Sequence, residues 1–154
     1  MTDLLGILEA EADAVSRFIK LLTLEQVALS AGDTDSLIGF VQEKSAVSSE
    51  LSSLASQRNS ALAALGLQSD RVGVEAWLER QPSDLARRNA WLRVVTLASE
   101  AKELNRVNGE LIQIRMQHNT QAIEAMQGAT RTLNLYGPDG QPAPVLSRRI
   151  NDAA

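Results

Sequence analysis

Between Leu5 and Leu29, residues return to one helical stripe in alternating steps of three and four. The row reads Leu5, Leu8, Ala12, Val15, Ile19, Leu22, Gln26 and Leu29, with only Gln26 polar. A stripe of this period is the seam of a helix that packs lengthwise on another helix. It predicts a first helix over residues 3–31, roughly 43 Å long at 1.5 Å per residue. Thr2 or Asp3 can cap its start by accepting free backbone N–H groups. Gly32-Asp33 ends it, and Thr34 or Asp35 can cap the next helix.

A second helix is expected over residues 35–65, stopping at Gly66. Its seam runs through Leu37, Phe40/Val41, Lys44, Val47, Leu51, Leu54, Arg58, Ala61/Leu62 and Leu65. The short Gly32-Asp33 link folds the two helices into an antiparallel hairpin. Lys44 and Arg58 stand two heptads apart, and so do Glu11 and Glu25 beside the first seam. A turn at Gly32-Asp33 then sets Glu25 near Lys44 and Glu11 near Arg58 in one register. The alternative is that all four charges are solvated, with Lys44 and Arg58 snorkelling past apolar neighbours.

Helical periodicity breaks between Gly66 and Pro82. A short amphipathic helix over residues 73–80 fits there, with Trp77, like Trp91 further on, read as a core plug rather than a ligand-binding aromatic. Pro82 forbids a continuous helix, and Ser83 or Asp84 begins the next one. The third long helix, residues 84–133, is apolar at its start: Leu92, Val95, Leu97, Ala98, Leu104, Val107, Leu111, Ile112 and Ile114. Its second half thins to Arg115, Asn119, Ala122, Ile123, Met126 and Leu133 among Gln117, His118, Thr120 and Gln121. It should pack well at the start and poorly near its end, where partner binding concentrates. The sequence therefore predicts an all-α bundle: three long antiparallel helices and a short connecting one over 1–136, then a weakly structured tail over 137–154. Gly137-Pro138 and Asp139-Gly140 mark turns at that boundary.

Aromatic residues make up 3% of the chain, so the core must be built from Leu, Ala, Val and Ile. A net charge of −4 argues against nucleic-acid binding, which needs a basic face. Zero cysteines exclude disulfides, thiolate metal sites and cysteine nucleophiles. No apolar run approaches the ~20 residues that span a bilayer, and residues 1–12 lack the basic region of a secretory signal. A soluble cytoplasmic protein is the expectation, without membrane insertion.

Catalytic arrangements are hard to find. The single histidine, His118, has Arg115 rather than Glu three residues before it, so the Glu-x-x-His pair of a di-metal bundle is missing. Serines 45, 48, 49, 52, 53 and 56 repeat along one helix and do not form a nucleophile elbow. There is no glycine-rich phosphate loop. Arg80, Arg87, Arg88 and Arg93 gather at the start of the third long helix as a solvated face or an anion site. Neither enzyme chemistry nor a cofactor is expected, and helical surface for a helical partner remains.

The stretch Asn105-Arg106-Val107-Asn108-Gly109-Glu110-Leu111-Ile112, then Asn119, then Leu135-Tyr136-Gly137-Pro138-Asp139-Gly140, resembles the FlgN family of flagellar export chaperones. Leu21-Leu22-Thr23-Leu24-Glu25, Gly32-Asp33, Lys44 and Arg58 resemble its earlier positions. The resemblance implies a cytoplasmic chaperone for the hook-associated proteins FlgK and FlgL, holding their C-terminal helical segments and delivering them to the type III export gate. It places substrate binding in the C-terminal part, here around Asn119, Ala122, Ile123, Met126, Ala129 and Leu133. It also suggests Tyr136 as a contact for the gate protein FlhA, with capping of the bundle's end as the structural alternative.

Gly109 sits inside a helix, where glycine costs about 1 kcal/mol against alanine. The expected return is the close approach of a neighbouring helix, with Asn105 and Asn108 bonding across the bundle to fix register. Direct contact of these asparagines with substrate is the alternative. A rival class is a structural or regulatory coiled-coil subunit that self-assembles through the Leu5–Leu29 row. Whether the free chain is a homodimer is open from sequence.

Overall fold

The computed structural model describes residues 3–133, excluding the side chains of Ala122 and of residues 129–133. Four helices follow one another: α1 (Leu4–Ala31), α2 (Thr34–Ala64), α3 (Arg71–Arg80) and α4 (Leu85–Leu133). The all-α class read from the periodicities is the one found. Among the described residues no helix is long and apolar enough to cross a membrane. The chain divides into two compact units, Met1–Asn108 and Gly109–Ala154, so α4 contributes to both.

Helix boundaries follow local chemistry. Asp3 accepts from the Gly6 N–H at 2.7 Å and caps α1. At its other end Gly32 takes φ 71°, and the N–H groups of Gly32 and Asp33 close on the carbonyls of Leu29 and Ala28. Gly66, at φ 74°, ends α2 in the same way, its N–H reaching the Ala63 carbonyl and that of Leu67 the Leu62 carbonyl. Both glycines supply the left-handed residue that lets a helix bond its last carbonyls.

Two starts fall earlier than expected. Asp33, not Thr34 or Asp35, caps α2 through the Ser36 N–H and hydroxyl, so the link is one residue tighter. α3 begins at Arg71 rather than 73, because Asp70 accepts from the Gly73 N–H and extends the helix backward.

In the first unit α1 is the central helix. The row read from sequence is largely inside the bundle: Leu8, Ala12, Val15, Leu22 and Leu29 are buried, with Leu5, Ile19 and Gln26 half-buried. That leaves it little face for a second copy. A second row went unread: Leu4, Ile7, Glu11, Ala14, Leu21, Glu25 and Ala28 are also buried, at the same spacing. A helix buried along two adjacent rows touches two neighbours, here α2 and the first part of α4. One cluster joins Leu4, Leu8 and Ala12 to Leu62, to Val74 and Trp77 of α3, and to Ala90 and Val94 of α4. Another joins Val15 and Leu22 to Ala101, with Leu51, Leu97 and Leu104 packed against it. Rising numbers along α4 meet rising numbers along α1, so these two run parallel, and α2 runs antiparallel to both.

The start of α4 is less buried than its composition suggested. Ala90, Val94, Ala101 and Asn108 are buried, whereas Leu92, Ala98, Ile112 and Ile114 are exposed. The row of α4 that meets its neighbours carries small and medium-sized residues. Trp77 is buried and Trp91 is half-buried against the first cluster, as plugs are.

Candidate functional site

Charged residues come to α1 in two layers. Lys44 Nζ lies 3.1 Å from both carboxylate oxygens of the buried Glu25. In the other layer, two heptads along the hairpin, Arg58 Nη1 donates to Glu11 Oε2. Among the described residues Glu11 Oε1 is buried without a hydrogen-bond partner, and burial pushes the Glu11 carboxyl up, against the opposing pull of Arg58. Lys44 also stands 5.8 Å from the centre of the Phe18 ring. The reading in which all four charges are solvated is not the arrangement found.

A third element closes the Glu25 layer. Asn108 is 1% exposed, and its amide nitrogen donates to the Leu22 carbonyl at 2.8 Å and to Glu25 Oε1 at 2.9 Å. Both partners are acceptors, so the NH2 group must face them. Glu25 thus ties α2 through Lys44 and α4 through Asn108. Spacing alone could not show that one acceptor is a backbone carbonyl. Asn105 takes no part in this layer and is exposed.

The expected return on Gly109 is absent. A Cβ there would meet no atom within 4 Å. Successive helical residues turn by about 100°, so with Asn108 turned onto α1, Gly109 points elsewhere. Among the described residues the glycine therefore gains no close helix approach.

Of the arginines at the head of α4, Arg80, Arg88 and Arg93 are exposed, as a solvated face is, and Arg87 is half-buried. Arg80 donates to the Leu65 carbonyl at the end of α2, and Arg88 to the Pro82 carbonyl. Arg87 lies 4.4 Å over the Trp77 ring and 3.3 Å from Asp84, and Arg93 pairs with Asp13 at 3.0 Å. Each holds its own chain together.

The second unit supplies the candidate binding surface. Within it, Ile112, Met116, Asn119, Ile123 and Met126 recur in steps of four, three, four and three, one stripe of α4. Ile112 is 40% exposed, Met116 53% and Met126 64%. Asn119 is exposed and Ile123 half-buried. The stripe expected from sequence runs through Arg115, whereas the observed row runs through Met116, one residue on, and continues back to Ile112. Counting steps backward from Met126 finds both. Ala122, Ala129 and Leu133 have side chains outside the described set, and Tyr136 and the 137–154 tail lie outside the described residues. His118 is exposed, and among the described residues no group of three or more His, Cys, Asp or Glu could hold a metal ion.

Among the described residues, an all-helical chain whose last helix keeps an apolar row in solvent offers a binding surface. Comparison with known proteins gives the family. The family described as FlgN protein matches residues 1–144, and the chain belongs to the FlgN family, whose role is that of a flagellar export chaperone. A flagella synthesis protein FlgN from Yersinia enterocolitica is 31% identical over 130 residues, covering 82% of this chain and 81% of that protein. Another, from Yersinia enterocolitica serotype O:8 / biotype 1B, is 28% identical over 147 residues, covering 93% and 92%. A third, from Proteus mirabilis, is 28% identical over 150 residues, covering 92% and 90%. No solved structure matches.

Proposed function

We propose that this chain is a cytoplasmic chaperone, without enzymatic activity, that binds the C-terminal helical segments of FlgK and FlgL and delivers them to the export gate through FlhA. One observation carries the binding step: Ile112, Met116, Ile123 and Met126 lie along one stripe of α4, with three of the four exposed. An amphipathic guest helix lays its apolar side on such a stripe and excludes water from both. Family membership over residues 1–144 supports a flagellar cargo. Binding through a solvent-facing row needs no chemistry and leaves the guest unchanged, as an export partner requires. Ala129 and Leu133 follow in sequence as further binding residues, and Tyr136 as the contact for the gate.

Isothermal titration of the full chain with each cargo segment tests the binding step. Ile123→Asp together with Met126→Asp is expected to weaken binding at least tenfold. The urea midpoint of unfolding should stay within error, because neither residue belongs to the buried clusters of the first unit. Unchanged affinity for both segments would remove the row from the binding surface.

A further inference from the structure

The row from Ile112 to Met126 has a polar residue at its middle. Asn119 sits one turn after Met116 and one turn before Ile123, on the same stripe. Its side chain makes no hydrogen bond among the described residues, the nearest such bond on the helix being Thr120 Oγ1 to the Met116 carbonyl. The positions flanking the stripe are Gln113, Arg115, Thr120, Ala122 and Gln127, with one charge among five. In paired helices, flanking charges usually choose the partner and its register. Here they are nearly absent, so that choice falls to the row itself.

We propose that Asn119 is the specificity-determining residue of this surface, selecting a guest helix that carries an amide or hydroxyl side chain opposite it, between aliphatic neighbours. This rests on the reading of residues 112–126 as the docking row. A guest with such a group exchanges hydrogen bonds with the Asn119 amide as water leaves. A guest with leucine there strands a buried amide, and an unpaired buried polar group is costly. A guest slipped by one heptad would set Asn119 against an aliphatic residue, so the same side chain fixes register.

The test is a titration matrix with the full chain. Wild type, Asn119→Leu and Asn119→Ala are each titrated with the native FlgK and FlgL C-terminal segments, and with segments in which each polar seam residue is replaced by leucine in turn. Asn119 is exposed, so the variants should fold, which circular dichroism checks. Asn119→Leu is expected to lose about tenfold in affinity for a native segment. It should regain that affinity for one leucine-substituted segment, which wild type in turn binds about tenfold more weakly. Equal or tighter binding of the native segments by Asn119→Leu, with no such reversal, overturns the proposal and leaves the docking row standing. Binding of neither segment by wild type removes the docking reading itself, and this proposal with it. A change confined to self-association in sedimentation would make a second copy the occupant and overturn it too.

Discussion

Replacing Lys44 with methionine is expected to cost about 3 kcal/mol of folding stability, within the range for stripping one partner from a buried ion pair. Glu25 is buried, and among the described residues its carboxylate is held by Lys44 and by the Asn108 amide. Without Lys44 the charge keeps one neutral donor in a site closed to water. The lysine side chain is itself 20% exposed, which places the effect toward the lower end of that range. Changing both partners, Glu25→Leu with Lys44→Met, should cost far less than the single change, because no charge is then left buried. Asn108 would keep its bond to the Leu22 carbonyl. Urea unfolding of the three proteins checks this. A single-variant loss below about 0.5 kcal/mol would match a solvated surface pair instead.

Truncating Trp77 to alanine is expected to cost about 4 kcal/mol, as removal of a buried large aromatic does. Trp77 is 4% exposed and meets residues of α1, α2 and α4 from a ten-residue helix. α3 has few other anchors, Val74 being its other large buried residue. The loss also takes away the face on which the Arg87 guanidinium rests at 4.4 Å. Domains of this size are stable by roughly 5–15 kcal/mol, so a large part of the margin goes. Trp91→Ala, at a half-buried position, should cost clearly less. Equal losses at the two positions would show that α3 does not close this end of the bundle.

The helices were legible because their boundaries rest on local chemistry. Gly32-Asp33, Gly66 and Pro82 break the chain wherever helices must end, and helical spacing covers the rest. The hairpin register was legible for a similar reason: the fourteen-residue separations of Glu11 from Glu25 and Lys44 from Arg58 match only when the turn sits at Gly32. What stayed hidden depended on a third body. The second buried row of α1 contains Glu11 and Glu25, and its two charges made it look like a flank. Only the presence of α4 shows that it is interior. The role of Asn108 was partly visible as a polar residue on a seam, but its acceptor on Leu22 belongs to backbone no pattern encodes. Gly109 misled because a helical glycine suggests a close neighbour, and its neighbourhood is open. On the candidate surface, Met116 was lost to Arg115 by a one-residue error of phase, which turns a helix by about 100°.

Hydrogen exchange on the full chain, alone and saturated with the FlgL C-terminal segment, tests the central claim most directly. Docking on the exposed row predicts added amide protection concentrated between Ile112 and Met126, with little change along α1 and α2. Added protection on the α1–α2 hairpin, and none between residues 112 and 126, would contradict it.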